Sequence, residues 1–235
     1  MRNLLSIVII SKNEEKFIED AIKSSIFADE ILVLDSGSTD NTCKIAKELG
    51  AIVRFHPWQG FGPQKNLAID LASNDWVLVL DCDERLTPEL CLEISNILDN
   101  PSFEGYFIGR LNNFFGKNIK TCGLYPDYSL RLFKKSKGRF KDLQVHESVE
   151  IKGKTSKLKN HMIHLAYNNV DEFIEKQKLY AKLSNKKKNL FKAITSPLWT
   201  FFKLYVLKLG FLDGWRGLVI AKTYAKYAFW RYVKS

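Results

Sequence analysis

Two aspartates two positions apart are the residues of this sequence best suited to chemistry. Asp81 and Asp83 follow the run WVLVL at 76–80, which is apolar and of a strand's length. Such a run predicts a buried strand of a parallel sheet, and open α/β sheets bind ligands at the carboxyl ends of their strands. In an extended segment both carboxylates lie on one side, where they favour a divalent cation that also binds phosphate. A plain acidic turn is the alternative for the pair taken alone.

Strands and helices alternate along the first hundred residues. Runs rich in Val, Ile and Leu at 4–10, 30–34, 51–55 and 76–80 are separated by segments of helix length. This order predicts an α/β fold with a parallel sheet and right-handed crossovers. Polar side chains follow three of the strands, and a nucleotide lying across the strand ends would use them all. They are Asn13 and Glu14, Asp35, and Asp81 with Asp83.

Capping residues, prolines and glycines predict where several helices begin and end. Asn13 is predicted to cap a helix that runs to about residue 28, and Gly50 to end the second helix in a left-handed conformation. Thr87 followed by Pro88 predicts another helix start. After residue 101 we expect strands at 105–110, 128–133 and 145–151, followed by an amphipathic helix over 169–189.

Charge is distributed very unevenly over the 235 residues. Residues 1–151 hold 18 Lys and Arg against 22 Asp and Glu, whereas residues 152–235 hold 18 against 4. The net charge is therefore −4 in the first part and +14 in the second, which predicts a polyanionic partner for the basic part, either a nucleic acid or an anionic membrane. A solvated basic face is the alternative.

The cysteines and the apolar runs limit the cellular setting. The four cysteines form no C-x-x-C pair and no zinc-type spacing, so we expect reduced thiols. The apolar run at 4–10 is too short for a secretory signal, and no run approaches the ~20 apolar residues that span a bilayer.

The last 47 residues combine aromatic and basic side chains. From residue 189 onward the chain has eight basic residues and one acidic residue, Asp213. A helix is predicted to start at Ser196 and Pro197 and to end at Gly210, and a second helix over about 215–233. This composition predicts a helical tail that lies in a membrane interface. Packing of the tail on the rest of the protein or on a second copy is the alternative.

Four short segments together resemble the inverting family 2 glycosyltransferases of GT-A fold. They are SIVIISKNEE at 6–15, LDSGSTD at 34–40, QKNLA at 64–68 and LDCDE at 80–84. The later segments VHES at 145–148 and GFLDG at 210–214 resemble the bacterial subgroup that adds sugars to the lipopolysaccharide core. The resemblance implies a GT-A catalytic domain over 1–188, with a nucleotide-sugar half at 1–100 and an acceptor half at 101–188, and an extension over 189–235.

The resemblance also implies roles for the residues at the strand ends. Asn13, Glu14 and Asp35 would contact the nucleoside of a nucleoside diphosphate sugar, and Lys65 the diphosphate. Asp81 would reach the ribose or a metal-bound water, and Asp83 would coordinate Mg²⁺ or Mn²⁺. The metal set is therefore Asp83 with Asp81. His164 is expected to be a polar strand residue, and the alternative is that it joins the metal.

An inverting transfer also needs a general base for the attacking hydroxyl. Many family members use the Asp of a Glu-Asp pair, which is absent here, and the corresponding place is His146-Glu147. We predict that Glu147 is the base and that His146 flanks the acceptor. The reverse assignment stays open, because a histidine titrates closer to neutral pH.

The resemblance predicts a hexosyltransferase that uses UDP-glucose. The acceptor would be a lipid-linked glycan such as the lipopolysaccharide inner core, and the enzyme would be peripheral on the inner face of the cytoplasmic membrane. A sugar-nucleotide nucleotidyltransferase and a nucleic-acid-binding protein are the alternatives. A nucleotidyltransferase would have a glycine-rich loop after the first strand, and this sequence has none there. The sequence also contains no recognised nucleic-acid-binding motif, so no nucleic acid is expected as a partner.

Overall fold

The computed structural model describes residues 2–141, 148–184 and 186–233. The chain divides into two compact units. The first comprises Met1–Arg110 and Tyr128–His164, and the second comprises Leu111–Asp127 and Leu165–Ser235. The functional division predicted from the sequence, at residue 188, stays a prediction.

Four parallel strands form one side of the main sheet. They are β1 (Leu5–Ser11), β2 (Glu30–Asp35), β3 (Ile52–Phe55) and β4 (Trp76–Asp81), in the spatial order β3-β2-β1-β4. The register pairs Ser11 with Asp35 and Ile10 with Asp81, so the carboxyl ends of three strands lie at one edge. The parallel sheet predicted from the apolar runs is confirmed.

Antiparallel and later strands complete this sheet. They are β5 (Glu84–Leu86), β6 (Gly105–Phe114), β7 (Lys117–Asn118), β8 (Asp127–Lys134) and β11 (Thr155–Tyr167). From β4 the order continues β8-β6-β11-β5, and β7 pairs with the end of β6. Two short strands, β9 (Gly138–Phe140) and β10 (Val149–Ile151), form a separate antiparallel pair. The predicted strand at 145–151 is described only from residue 148 onward.

Helices cover the sheet of the first unit. They are α1 (Ile18–Lys23), α2 (Thr42–Glu48), α3 (Phe61–Leu71) and α4 (Pro88–Asp99). Thr87 caps α4 through its hydroxyl, and Gly50 is left-handed with φ of 83°, both as predicted. The long helix predicted from Asn13 is wrong: α1 has six residues and starts at Ile18, because Asn13 is itself left-handed and bonds to the loop after β2.

The second unit contains the remaining helices and an aromatic cluster. Asn169 caps α5 (Val170–Leu183), whose buried side chains Phe173, Gln177 and Ala181 confirm the predicted amphipathic pattern, although the helix ends before residue 189. Helix α7 (Trp215–Val233) has the predicted bounds. Its Ile220 belongs to a buried cluster with Phe114, Tyr167 and Phe173.

The predicted start of the sixth helix at Ser196 is wrong. Helix α6 runs over Leu190–Phe202 with Asn189 as its cap, and Pro197 lies inside it. The Asn189 side chain accepts a hydrogen bond from the Lys192 amide at 2.9 Å, which satisfies the helix start seven residues earlier. A π-helical turn at Lys203–Leu207 and a 3₁₀ turn at Gly210–Asp213 follow. No helix of the described chain has both the length and the apolar composition of a bilayer span.

Close packing of two glycines predicts a sensitive position in the second unit. A Cβ added to Gly217 would overlap the backbone carbonyl of Gly210, which no side-chain movement can relieve. Gly217→Ala should therefore lower the free energy of unfolding by about 1–3 kcal/mol, despite the better helix propensity of alanine. Lys222→Ala, at an exposed position of the same helix, is the control. A Gly217→Ala protein as stable as the original in urea would contradict this packing.

Candidate active site

The loops after β1 and β2 bond to each other and form one side of the strand-end surface. Thr39 donates its amide to Asn13 Oδ1, and the Asn13 amide donates to Ser38 Oγ, both at 2.8 Å. The Glu14 amide donates to Thr42 Oγ1 at 2.8 Å. The backbone turn at Asn13 thus holds Glu14 beside the second loop.

The electrostatics of Glu14 show that the acidic strand ends converge. Burial raises the pKa of Glu14, and the negative charges of Asp83, Asp40 and Asp81 raise it further. These aspartates belong to segments far apart in sequence. The sequence-based expectation that polar residues of several strand ends meet is therefore supported by their electrostatic coupling.

Asp35 is buried and organises the loop that follows it. Burial acts to raise its pKa, but hydrogen bonds from Ser38, Gly37 and Ser11 outweigh it and leave the pKa below its ordinary value. Both backbone amides of Gly37 and Ser38 donate to Oδ2 at 2.8 Å. Asp35 is therefore a charged anchor of the loop at this edge.

Asp81 lies between two cations. Its Oδ1 is 2.9 Å from Lys65 Nζ of helix α3, and its Oδ2 is 2.7 Å from Arg131 Nη2 of strand β8. Burial opposes ionisation of Asp81, but Arg131 and then Lys65 outweigh it and hold the pKa well below its usual range. Asp81 is therefore an anion with both oxygens engaged.

A second buried acid extends this group. Glu84 is fully buried, and its carboxylate lies 2.7 Å from Arg131 Nη2 and 3.8 Å from Arg110 Nη1. The Asp81 amide donates to Glu84 Oε2 at 3.0 Å. Two acids and three cations thus share one network, in which Lys65, Glu84 and Arg131 are buried and Asp81 and Arg110 are partly exposed. We call it the charge network: Lys65, Asp81, Glu84, Arg110 and Arg131.

Asp83 has different surroundings from Asp81. Residues 82–83 form a turn, so the extended geometry expected for 81–83 is wrong and the two carboxylates go to different partners. Asp83 Oδ2 lies 3.4 Å from His164 Nε2, with 38% of the Asp83 side chain and 22% of the His164 side chain exposed. The pairing of β5 with β11, in which His164 lies opposite Glu84, brings this histidine to the turn.

His164 matches both interpretations that the sequence left open, since it is a strand residue and its imidazole faces Asp83. His161 of the same strand accepts a hydrogen bond from Thr87 through its backbone carbonyl. Among the described residues, no group of three or more His, Cys, Asp and Glu side chains is arranged to hold a metal ion. Among the described side chains, the Asp83 carboxylate and the His164 imidazole face each other at the turn.

Three consecutive residues of α3 reach three different segments. Gln64 donates to Ser36 Oγ at 3.0 Å, and Lys65 binds Asp81. Asn66 exchanges two hydrogen bonds with the backbone of Phe140, at 3.0 and 2.9 Å. The helix therefore ties the loop after β2, the end of β4 and strand β9 together.

His146 and Glu147, the predicted acceptor and base residues, lie outside the described residues. Their neighbours on both sides are described. Phe140 is held by Asn66, and the Lys141 amide donates to the Ser148 carbonyl at 2.9 Å. Lys65 Nζ lies 5.4 Å from the centre of the Phe140 ring.

The sequence belongs to a known enzyme family. Residues 6–150 match the family described as glycosyl transferase family 2. The chain is a family 2 glycosyltransferase. The predicted family and enzyme class are confirmed. The family match favours them over the two alternatives, a nucleotidyltransferase and a nucleic-acid-binding protein.

Relatives of this glycosyltransferase match it over almost its whole length. It is 31% identical over 241 residues to the lipopolysaccharide core biosynthesis glycosyltransferase LpsC of Rhizobium meliloti, covering 96% of this chain and 89% of LpsC. It is 30% identical over 250 residues to an uncharacterized glycosyltransferase of Rickettsia felis, covering 98% of this chain and 88% of that protein.

A solved structure supports the fold. Residues covering 90% of this glycosyltransferase superpose on 75% of the S. aureus TarS 1–349 chain, crystallised with UDP, with a TM-score of 0.52 and 17% identity. Together with the family match, this confirms the predicted GT-A fold.

Arg131, Glu84 and Arg110 of this glycosyltransferase were not predicted as site residues. Arg131 is a charged residue between Leu130 and Leu132 in a strand that was predicted correctly. A cation among buried apolar neighbours signals a buried acidic partner. Spacing does not say which acid that partner is, because β8 and β4 are fifty residues apart in the chain.

The charge network predicts that two Arg–Asp pairs contribute very different amounts to the free energy of unfolding. Arg131→Met should lower the free energy of unfolding by about 3–5 kcal/mol, because it leaves the fully buried Glu84 without its nearest cation and removes one of the two cations that hold Asp81. Arg139→Met is the matched control: Arg139 pairs with Asp70 at a half-exposed position, and its loss should cost under about 1 kcal/mol. Equal losses in urea unfolding would refute the structural role of Arg131.

Proposed function

We propose that this glycosyltransferase moves a hexose, with inversion, from a nucleoside diphosphate sugar to a lipid-linked glycan. UDP-glucose is the proposed donor, and the lipopolysaccharide inner core the proposed acceptor. The observation that carries the proposal is the end of β4, where Asp83 pairs with His164 beside an Asp81 fixed by two cations.

Contacts at the strand ends support binding of a nucleoside there. Asn13 and Asp35 hold the two loops by hydrogen bonds, and the half-buried Glu14 lies beside them. We assign Asn13, Glu14 and Asp35 to the nucleoside, with Asp35 acting mainly through the loop amides that it orders. We assign Lys65 to the charge balance of the diphosphate through its ion pair with Asp81.

The residues at the turn fit a divalent cation. Mg²⁺ and Mn²⁺ prefer carboxylate and phosphate oxygens, and Mn²⁺ also accepts an imidazole nitrogen; one or two protein side chains commonly hold such an ion together with phosphate oxygens. Asp83 and His164 are partly exposed and 3.4 Å apart, so both can face one ion. Asp81 is assigned to the ribose or to a metal-bound water, since Lys65 and Arg131 already engage its oxygens. A bound cation would stabilise the charge of the departing diphosphate.

Glu147 is proposed as the general base, with His146 beside it. The attacking hydroxyl must lose its proton as it displaces the diphosphate at the anomeric carbon, and a carboxylate on the opposite face of the sugar can take that proton. Support comes from the described neighbours of this segment, because Phe140 is bound by Asn66, and Asn66 follows the Lys65 that contacts Asp81. His146 as the base is the alternative.

The relatives support the proposed acceptor. LpsC, which this chain resembles over 96% of its length, is named for lipopolysaccharide core biosynthesis. A growing core is carried on a lipid anchor, so the enzyme would act as a peripheral protein on the inner face of the cytoplasmic membrane. Nucleic acid is not expected as a partner, and this stays a prediction.

Metal-dependent donor binding tests the donor site. UDP-glucose with Mn²⁺, each at about 100 times its dissociation constant, should stabilise the protein by about 2.7 kcal/mol or more. Asp83→Asn should abolish the metal-dependent part, and His164→Ala should weaken it. His161→Ala, in the same strand, should keep it. Differential scanning fluorimetry over a panel of nucleotide sugars measures this, and an Asp83→Asn protein that responds like the original would overturn the site.

Removal of the base should separate chemistry from binding. Glu147→Gln should lower glucose transfer to a heptose-terminated inner-core acceptor by roughly 10²- to 10⁴-fold while donor binding is retained. Glu150→Gln, an exposed glutamate of β10, is the matched control. Near-normal transfer by Glu147→Gln, with loss in His146→Gln, would move the role to His146.

A further inference from the structure

A continuous stretch of the second unit exposes many large apolar side chains. Twelve of them lie between residues 190 and 215, in helix α6, the π-helical turn, the 3₁₀ turn, the residue before that turn and the start of α7. We call them the apolar surface: Leu190, Phe191, Ile194, Leu198, Trp199, Phe202, Val206, Leu207, Leu209, Phe211, Leu212 and Trp215. Exposed apolar side chains so dense in one segment differ from the single scattered ones of an ordinary soluble surface and indicate an interaction site.

The exposure follows from the way α6 is oriented. Leu190, Ile194, Leu198 and Phe202 recur every four residues and therefore form one stripe along the helix. Such a stripe normally faces a protein core, but here Leu198 is 69% exposed and the neighbouring Phe191 is 75% exposed. Among the residues of α6, only Ala193 is fully buried.

Helix α7, in contrast to α6, buries much of its apolar face. Its Ile220, Ala221 and Ala228 are buried, and Tyr224 packs against Phe173 with ring centres 5.5 Å apart. The predicted tail thus contains a packed helix and an exposed helix. The two interpretations of the tail, membrane contact and packing, apply to different parts of it.

The charge around the apolar surface has one sign. From residue 176 to 235 the sequence holds 14 Lys and Arg and a single acid, Asp213. Asp213 is buried and paired with Lys117 at 3.0 Å and Thr121 at 2.5 Å, so it does not offset the outer charge. Exposed lysines adjoin the apolar side chains in sequence: Lys186, Lys187, Lys188, Lys192, Lys203 and Lys208.

The apolar side chains together with the neighbouring lysines distinguish between the partners that could cover the apolar surface. A second copy in a two-fold dimer would bring the same lysines against each other, and like charges across an interface disfavour association. A nucleic acid would satisfy the lysines but would leave the leucines in water. An anionic bilayer offers phosphate headgroups to the lysines and acyl chains to the apolar side chains.

We propose that the apolar surface docks the enzyme on an anionic phospholipid bilayer, with α6 and the first residue of α7, Trp215, in the interface and the rest of α7 packed on the second unit. The proposal rests on the proposed function in one respect, since a lipid-linked acceptor requires an enzyme that works at a membrane. It adds the residues that make the contact and the lipid charge that they require.

Vesicle binding by the full chain tests the proposal. The protein should co-sediment with vesicles of phosphatidylcholine and phosphatidylglycerol, and roughly tenfold less with phosphatidylcholine alone. Leu198→Ser combined with Trp199→Ser should lower binding by roughly tenfold or more. Leu92→Ser is the matched control, because Leu92 is 64% exposed on α4, outside the apolar surface.

A second pair of variants tests the charge. Lys187→Ala with Lys188→Ala should weaken binding to the anionic vesicles at low salt, and Lys44→Ala with Lys47→Ala, exposed on α2, should not. Equal binding by the Leu198 and Trp199 variant, or no binding by the original protein, would overturn the proposal. A concentration-dependent dimer that the same variant abolishes, without vesicle binding, would assign the surface to a second copy and would overturn it too.

Donor binding separates this proposal from the proposed function. UDP-glucose with Mn²⁺ should stabilise the Leu198 and Trp199 variant as much as the original protein in the absence of vesicles, which also shows that the variant is folded. Vesicle binding without any nucleotide-sugar response would overturn the donor assignment and leave the docking surface standing.

Discussion

The ion pairs of Asp81 with Lys65 and Arg131 are the interaction on which the active-site end of this enzyme depends. They join helix α3, the end of β4 and strand β8, and Arg131 extends the network to Glu84 of β5. Burying charges is unfavourable unless each finds a partner with good geometry. The network therefore requires these four elements to meet in one register, and the same register holds the turn that carries Asp83.

The two aspartates at the end of β4 therefore have different interaction partners. Asp81 is held by the cations of Lys65 and Arg131, whereas Asp83 faces the His164 imidazole; both carboxylate side chains are partly exposed, at 29% and 38%. Burial raises the pKa of Glu14, and the charges of both aspartates raise it further. An arrangement in which protein cations balance Asp81 while Asp83 faces a histidine suits the proposed site, where a divalent cation would supply positive charge for both Asp83 and an anionic diphosphate.

The two units carry different surface chemistry. The first has acidic side chains at its strand ends and a core of aliphatic strands. The second has an aromatic core around Phe173, lysines on its outside, and an apolar helix stripe that faces water. The proposed soluble nucleotide sugar and the proposed lipid-linked acceptor would need both kinds of surface, and the proposed docking of α6 assigns each to one unit.

The sequence by itself determined the family, the four parallel strands and the acids at their ends, because apolar runs, capping residues and short motifs are local signals. It also predicted α7 and the buried face of α5. It failed at two helix starts: Asn13 bonds to the distant loop after β2 instead of capping a helix, and Asn189 supplies a local cap that starts α6 ahead of Pro197 and was not predicted. Only the tertiary structure decided that Arg131 neutralises Asp81, that His164 faces Asp83 and that α6 is exposed while α7 is packed. Those outcomes depend on which strands pair and which helix faces are covered, and neither is encoded in the spacing of residues along one segment.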